Sequence, residues 1–177
     1  RCSDLWVIFK NAISDALDLD ICEAEIKNSL FEGSLNDGVD LMTTRATIVG
    51  SEFRNNGDKG ISVGENSHLI GINNTLVRNS IGVQSKDRST AVLFNNSLIE
   101  NRIALSAYKK NWRYGDGGEL FIGKSLIVGD EVTDVVDNHS FIQLFDSYLS
   151  SSGFEETSYI DIFAVDSRAE FVASESQ

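Results

Sequence analysis

The chain has 177 residues, with 27 Asp and Glu against 15 Lys and Arg, and a net charge of −12. That acidity excludes nucleic acid as the main partner, because phosphates would be repelled, and no apolar run approaches the roughly 20 residues of a membrane span. An apolar content of 41% suits one folded domain (1–177) and is too high for a disordered segment.

The opening stretch, RCSDLWVIFK (1–10), reads as strand. It has no methionine, charged n-region or apolar h-region, so no signal peptide is expected, and the chain reads as a fragment of a longer protein or a processed one. A repeat begins next. Leu17, Val39, Ile61, Val83 and Leu105 follow one another in steps of 22, and Leu19, Leu41, Val63, Ser85 and Ala107 lie two residues on, the in–out–in pattern of a short strand. Six windows align in a second register: IKNSLF (26–31), IVGSEF (48–53), INNTLV (72–77), FNNSLI (94–99), IGKSLI (122–127) and LFDSYL (144–149). Their first and last columns are apolar. Their third column, Asn28, Gly50, Asn74, Asn96, Lys124 and Asp146, is rich in residues that tolerate a left-handed backbone, which predicts a corner there. The fourth column, Ser29, Ser51, Thr75, Ser97, Ser125 and Ser147, is always a small hydroxyl and is predicted to point inward. Stacked Asn74 and Asn96 are expected to form a short amide ladder.

Short strands repeating at this period, with no helical pattern, describe an all-β parallel solenoid whose coils complete each other's cores. Roughly seven coils of about 22 residues give a rod about 30 to 35 Å long at the usual strand spacing. Neither the L-x-x-L-x-L pattern of leucine-rich repeats nor the G-G-x-G-x-D of calcium-binding nonapeptides is present. Irregular turn lengths favour a right-handed β-helix. From Val39 to Ile48 is 9 residues but from Ile61 to Ile72 is 11, so one turn lengthens by two; another shortens by two, from 8 (Phe53 to Ile61) to 6 (Val77 to Val83). One large insertion, YKKNWRYGDGG (108–118), follows Leu105. After Leu149 the register blurs, although YIDIFAV (159–165) still reads as strand and SESQ as a frayed end.

These residues resemble a known family. DALDLD, NDGVDL, GDKGISVGENS and IGVQSKDRS, followed by AYKKNWRYGDGG, are similar to coils of the right-handed parallel β-helix repeat proteins of the pectate-lyase-like superfamily, as found in secreted bacterial proteins. The resemblance covers about residues 15–130. It implies an extracellular or cell-surface setting, neighbouring domains in the parent protein, and a role as a glycan-binding scaffold or a polysaccharide-active enzyme. Asn36-Asp37-Gly38-Val39-Asp40 is similar to the N-T-D-G-x-D element of polygalacturonases, and Gly57-Asp58 to the start of their G-D-D element. Lys59 stands where the second Asp belongs, and G-H-G and R-I-K are missing, which argues against that subgroup.

Two clusters carry candidate chemistry. Asp18 and Asp40 are outward residues one coil apart, flanked by Asp15 and Asp37; stacked carboxylates repel unless a cation such as calcium intervenes, or else Asp15 and Asp37 are turn residues that bond local N–H groups. The second cluster is basic. The 22-residue register aligns Lys86 with Tyr108, Asp87 with Lys109 and Arg88 with Lys110, and the insertion adds Trp112, Arg113 and Tyr114. Aromatic faces stack on sugar rings, and Lys and Arg pair with uronic carboxylates, so an anionic polysaccharide is the expected ligand. The alternative is a charged ladder in which Lys86 and Lys109 neutralise Glu65 and Asp87. Cys2 and Cys22, 20 residues apart, suit either a disulfide between neighbouring coils or two buried thiols.

Overall fold

The computed structural model of the protein describes residues 2–129, 132–150 and 158–159. Three parallel sheets wind around one core. The first contains Cys2–Leu5, Glu23–Lys27, Arg45–Val49, His68–Ile72, Thr90–Phe94, Glu119–Gly123 and Phe141–Phe145, stacked in that order. The second contains Ile8–Lys10, Leu30–Glu32, Glu52–Arg54, Thr75–Val77, Ser97–Ile99, Leu126–Val128 and Tyr148–Ser150, with Ser158–Tyr159 added antiparallel at its end. Leu17–Asp20, Val39–Met42, Lys59–Gly64, Ile81–Lys86, Ile103–Tyr108 and Val132–Val136 form the third. The described residues therefore make six complete three-stranded coils and two strands of a seventh. The only helix among the described residues is one 3-10 turn, Trp112–Tyr114. The expected strand at 159–165 lies, after Tyr159, outside the described residues. Cys2 stands opposite Ala24 in the ladder, not opposite Cys22.

Each strand sends alternate side chains inward, and the coils above and below bury them. On the inner face of the first sheet Ile26 and Ile48 are followed, past Gly71, by Leu93 and Ile122, and on that of the third Val39, Ile61, Val83 and Leu105 stack, all fully buried. On the second, the rings of Phe9, Phe31 and Phe53 stack at 5.5 and 4.8 Å, and Leu76, Leu98 and Ile127 continue the column.

The corners join a left-handed residue to a buried polar one. Between the first and second sheets the left-handed residues are Asn28, Gly50, Asn73, Asn95, Lys124 and Asp146, with φ between 47° and 62°. The next residues, Ser29, Ser51, Asn74, Asn96, Ser125 and Ser147, are buried. Each of these side chains accepts the backbone N–H of its counterpart one coil earlier, as in Ser51 N to Asn74 Oδ1 (2.9 Å) and Asn74 N to Asn96 Oδ1 (2.8 Å). Two predicted windows are thus one residue out of step. Asn73 and Asn95 make the corners, not Asn74 and Asn96, and Thr75 and Ser97 are only half-buried. Asn74 and Asn96 do stack inside the corner, but their amides bond backbone groups and not each other: Asn74 Nδ2 donates to the Ile48 carbonyl and Asn96 Nδ2 to that of Gly71.

The cause of the slip is a compensated length change. Glu23 pairs with Arg45 and Arg45 with His68, steps of 22 and then 23, because Glu65 and Asn66 both take left-handed conformations where Thr43 alone does so one coil earlier. The following corner is one residue shorter: Phe53 to Ile61 is 8, Leu76 to Val83 is 7. The third sheet therefore keeps its 22-residue step from Leu17 to Leu105, and only its last step, Ile103 to Val132, is longer, at 29. An amide ladder does occupy this shortened corner, where Asn56, Asn79 and Asn101 are buried one above another. Asn56 Nδ2 donates to Asn79 Oδ1 at 2.9 Å and Asn79 Nδ2 to Asn101 Oδ1 at 3.0 Å, and each Nδ2 also reaches a backbone carbonyl, of Phe31, Phe53 and Leu76 respectively.

The candidate ligand-binding face and its loop

The outer faces of the sheets differ in chemistry. The first exposes Ile70, Val92, Phe94, Phe141 and Phe145, whereas the third is polar up to its last strand, where Val132, Val135 and Val136 are exposed. Along the third sheet, Asp18, Asp40, Ser62, Gln84 and Ser106 form one outward column, in register from coil to coil. Beside it run Asp20, Met42, Gly64, Lys86 and Tyr108.

The acidic end of this face divides in two. Asp15 Oδ1 accepts from Asn36 Nδ2 (2.7 Å) and from the Asp37 N–H (2.9 Å). Asp37, itself 3% exposed, accepts from the Lys59 N–H (2.9 Å) and lies 3.3 Å from Lys59 Nζ, which also pairs with Asp58. Burial pushes the Asp37 carboxyl up to about 6 against the attraction of Lys59. These two acids are corner-capping residues. Asp18 and Asp40 instead face outward as ladder neighbours. Burial and then the charges of Asp20, Asp40 and Asp15 raise the Asp18 carboxyl above its ordinary value. Among the described residues no group of three or more His, Cys, Asp and Glu side chains is arranged to hold a metal ion, so the quartet Asp15, Asp18, Asp37 and Asp40 is not assembled as one.

At the other end lies the insertion. Glu119 follows Thr90 by 29 residues instead of 22, so the corner after Tyr108 carries seven extra residues. Asp87 was expected in an exposed charged ladder; it is fully buried and holds this loop. Its Oδ1 accepts the N–H groups of Lys110 and Asn111, both at 2.7 Å. From the next coil Asp137 Oδ2 accepts the Lys109 N–H at 2.9 Å. Against the burial that would raise it, the N–H groups of Lys109 and His139 and the Ser140 hydroxyl hold the Asp137 carboxyl below its usual value. Asn111 caps the 3-10 turn through the Arg113 N–H, and Lys109 Nζ closes the loop onto the Gly115 carbonyl. Trp112 is left 79% exposed, with the Arg113 guanidinium 5.9 Å from its ring centroid.

Lys86 and Tyr108 are ladder neighbours, and Lys109, Lys110, Arg113 and Tyr114 follow on the loop. The structure brings these together, with one correction: Lys86 does not project into solvent. It is 6% exposed and lies flat over Gly64, where any β-carbon would collide with it, and its Nζ is 3.5 Å from Ser62 Oγ. Arg88 is exposed on the far side of the corner, where with Asn66, His68, Thr90, Asp116 and Gly117 it lines a cavity of about 360 Å³. His68 also borders the grooves on the first sheet, a role its isolated place in the sequence gave no hint of. Glu65 links the two ends. Burial raises its carboxyl, Lys86 and Lys110 oppose that, and Asp40 and Asp87 add to it.

The family described as a right handed beta helix region matches residues 6–146. No curated protein matches the chain in sequence. A solved structure that it resembles is a double mutant of the periplasmic alginate epimerase AlgG, with a TM-score of 0.54 and 13% identity over 82% of this chain. The chain spans 38% of that enzyme's length, and at this identity the likeness is one of fold. No helix among the described residues is long and apolar enough to cross a membrane.

Proposed function

The chain belongs to the right-handed β-helix family, and we propose that it works as a non-catalytic, extracellular or cell-surface module that binds an anionic polysaccharide at its inserted loop. One observation carries this reading: an exposed tryptophan and its stacked arginine, with Lys109 and Lys110 beside them, sit on a loop fixed by two buried or hydrogen-bonded carboxylates. A platform already rigid before binding loses little entropy when a sugar ring stacks on it. On a molecule of net charge −12, a concentration of cations at one corner is the place a polyanion is drawn to. Other domains of a longer parent protein would then supply any catalysis.

The test uses Trp112 as its own reporter. In a Trp6→Phe background, titration with oligogalacturonate or a sulfated oligosaccharide should change the Trp112 emission. Affinity should fall steeply with salt, since the contacts are exposed. Lys109→Ala with Arg113→Ala should weaken binding about tenfold, as expected for two exposed charge contacts. Unchanged emission across a broad panel of acidic glycans would refute the reading.

A second reading rests on Lys86 and Tyr108, a cation and a phenol side by side, which is the pair that proton abstraction beside a sugar carboxylate calls for. The alginate epimerase of similar fold acts on such a polymer. Appearance of an ultraviolet-absorbing unsaturated sugar end, or a changed uronate composition, on incubation with polyuronates would replace the binding module with a carbohydrate-active enzyme.

A further inference from the structure

The outward face of the third sheet is electrically polar along the solenoid axis. Asp18, Asp20 and Asp40 occupy its first two coils; Lys86, Lys109, Lys110 and Arg113 occupy the fourth, the fifth and the loop. Lys59, between them, is taken up by Asp37 and Asp58. From Asp40 to the level of Ser106 is three coil steps, or ~14 Å at the usual spacing.

Between the two ends the face holds a polar group that nothing in the fold satisfies. Gln84 is 5% exposed and stands in the outward column between Ser62 and Ser106. Its Nε2 donates to Ser106 Oγ at 3.2 Å, while its Oε1 is buried without a partner. Turning the amide over only exchanges which end is unpartnered. A buried oxygen of Asp40, two coils earlier in the same column, is also unpartnered. Leaving such groups unmet costs stability unless something else meets them. Lys86 lies across Gly64 in the adjacent column, held by a long contact to Ser62 and by the attraction of the Glu65 carboxylate, and a ligand reaches the column only if this flexible chain moves aside.

From this we infer that the ligand of the third-sheet face is a glycan bearing both charges, with uronic carboxylates at the loop end and free amino groups of hexosamine residues over Asp18 and Asp40. Its hydroxyls meet Gln84, Ser62 and the unpartnered Asp40 oxygen. A pure polyuronate would press its carboxylates against the acidic coils, which repel one another already: the Asp18 carboxyl is raised by burial and by its acidic neighbours. An ammonium group there relieves that repulsion. Trp112 and the loop cations engage the acidic sugars. This specificity rests on the glycan-binding reading above and sharpens it.

Three probes separate the two ideas: hexamers of galacturonate, hexamers of glucosamine, and N-deacetylated hyaluronan oligosaccharides, in which glucuronate alternates with glucosamine. The alternating polymer should bind about fivefold or more tighter than galacturonate at equal length, a modest gain of the size exposed charge contacts give. Asp18→Asn with Asp40→Asn should abolish that preference and leave galacturonate binding intact or stronger. Arg113→Ala should weaken both. If galacturonate binds as tightly as the alternating polymer, or the double variant keeps the preference, this inference is wrong while the loop reading stands. If no probe moves the Trp112 emission, both fail. Circular dichroism on each variant guards against misfolding, and the isosteric Asn replacements on the outward face keep that risk small.

Discussion

Asn73 and Asn74 are chemically identical neighbours with opposite duties. Asn73 is exposed and left-handed at φ 57°, whereas Asn74 is 1% exposed and bonds the coils on either side. Their replacements should therefore fail for different reasons. Asn73→Val should cost about 1–2 kcal/mol through backbone strain, and Asn73→Gly almost nothing. Asn79→Leu, of similar volume, strands the Asn56 N–H and the Phe53 carbonyl in the core and should cost about 2–4 kcal/mol, measured by urea unfolding. Asp37 supplies a pH signature. Its carboxyl titrates near 6 when folded and near 3.8 unfolded, so between those values the folded protein holds the extra proton. Stability should fall as pH rises through that window, by up to about 3 kcal/mol, and Asp37→Asn should flatten this part of the profile. The residue types named the corners well enough, since Asn and Gly recur there. They did not say which Asn of a doublet turns and which is buried, because both roles favour the same side chain. Asn73-Asn74 and Asn95-Asn96 were each placed one residue late for that reason.

The inserted loop is an element without a core of its own. Its fixed points belong to the coils: Asp87 below and Asp137 above, with Gly117 N–H bonded to the His139 carbonyl at 2.9 Å. Asp87→Ala removes two charge-assisted bonds to Lys110 and Asn111 and should free the loop while the solenoid persists. Brief trypsin treatment should then cut after Lys109, Lys110 or Arg113 in the variant and spare the native protein, with near-unchanged far-ultraviolet dichroism. An equal cutting rate in both would show that Asp87 does not hold the loop. The insertion was legible because it interrupts a period. Its anchor was not, since a 22-residue column carries Asp87 outward beside Lys109, and only the left-handed turn at φ 53° rotates it inside. The site shares this pattern: the cations and aromatics were visible as composition, the buried posture of Lys86 over Gly64 was not.

At the scale of the whole molecule, each coil touches little beyond its neighbours, so a coil is a removable unit. Excision of residues 23–44 joins Cys22 to Arg45, which is the ladder partner of Glu23. The shortened protein should fold and melt cooperatively. Excision of 23–43 leaves Thr44 as one extra residue at a corner of the kind that Glu65-Asn66 already lengthen, so this deletion should also fold, with a lower melting temperature. Sedimentation and thermal melts of the two deletions read the difference directly.

The extra residue at Glu65-Asn66 and the missing one before Val83 have a consequence for how such a chain drifts over time. Through these coils the third sheet, where the charged face lies, keeps its phase: only the first two sheets run one position late, between one corner and the next. Two opposite errors thus form a closed pair, and everything outside them stays in phase. A lineage can accumulate such pairs at its corners while the spacing of groups along the remaining face is inherited intact, so comparison between distant members should find gaps in complementary couples, one coil apart or less.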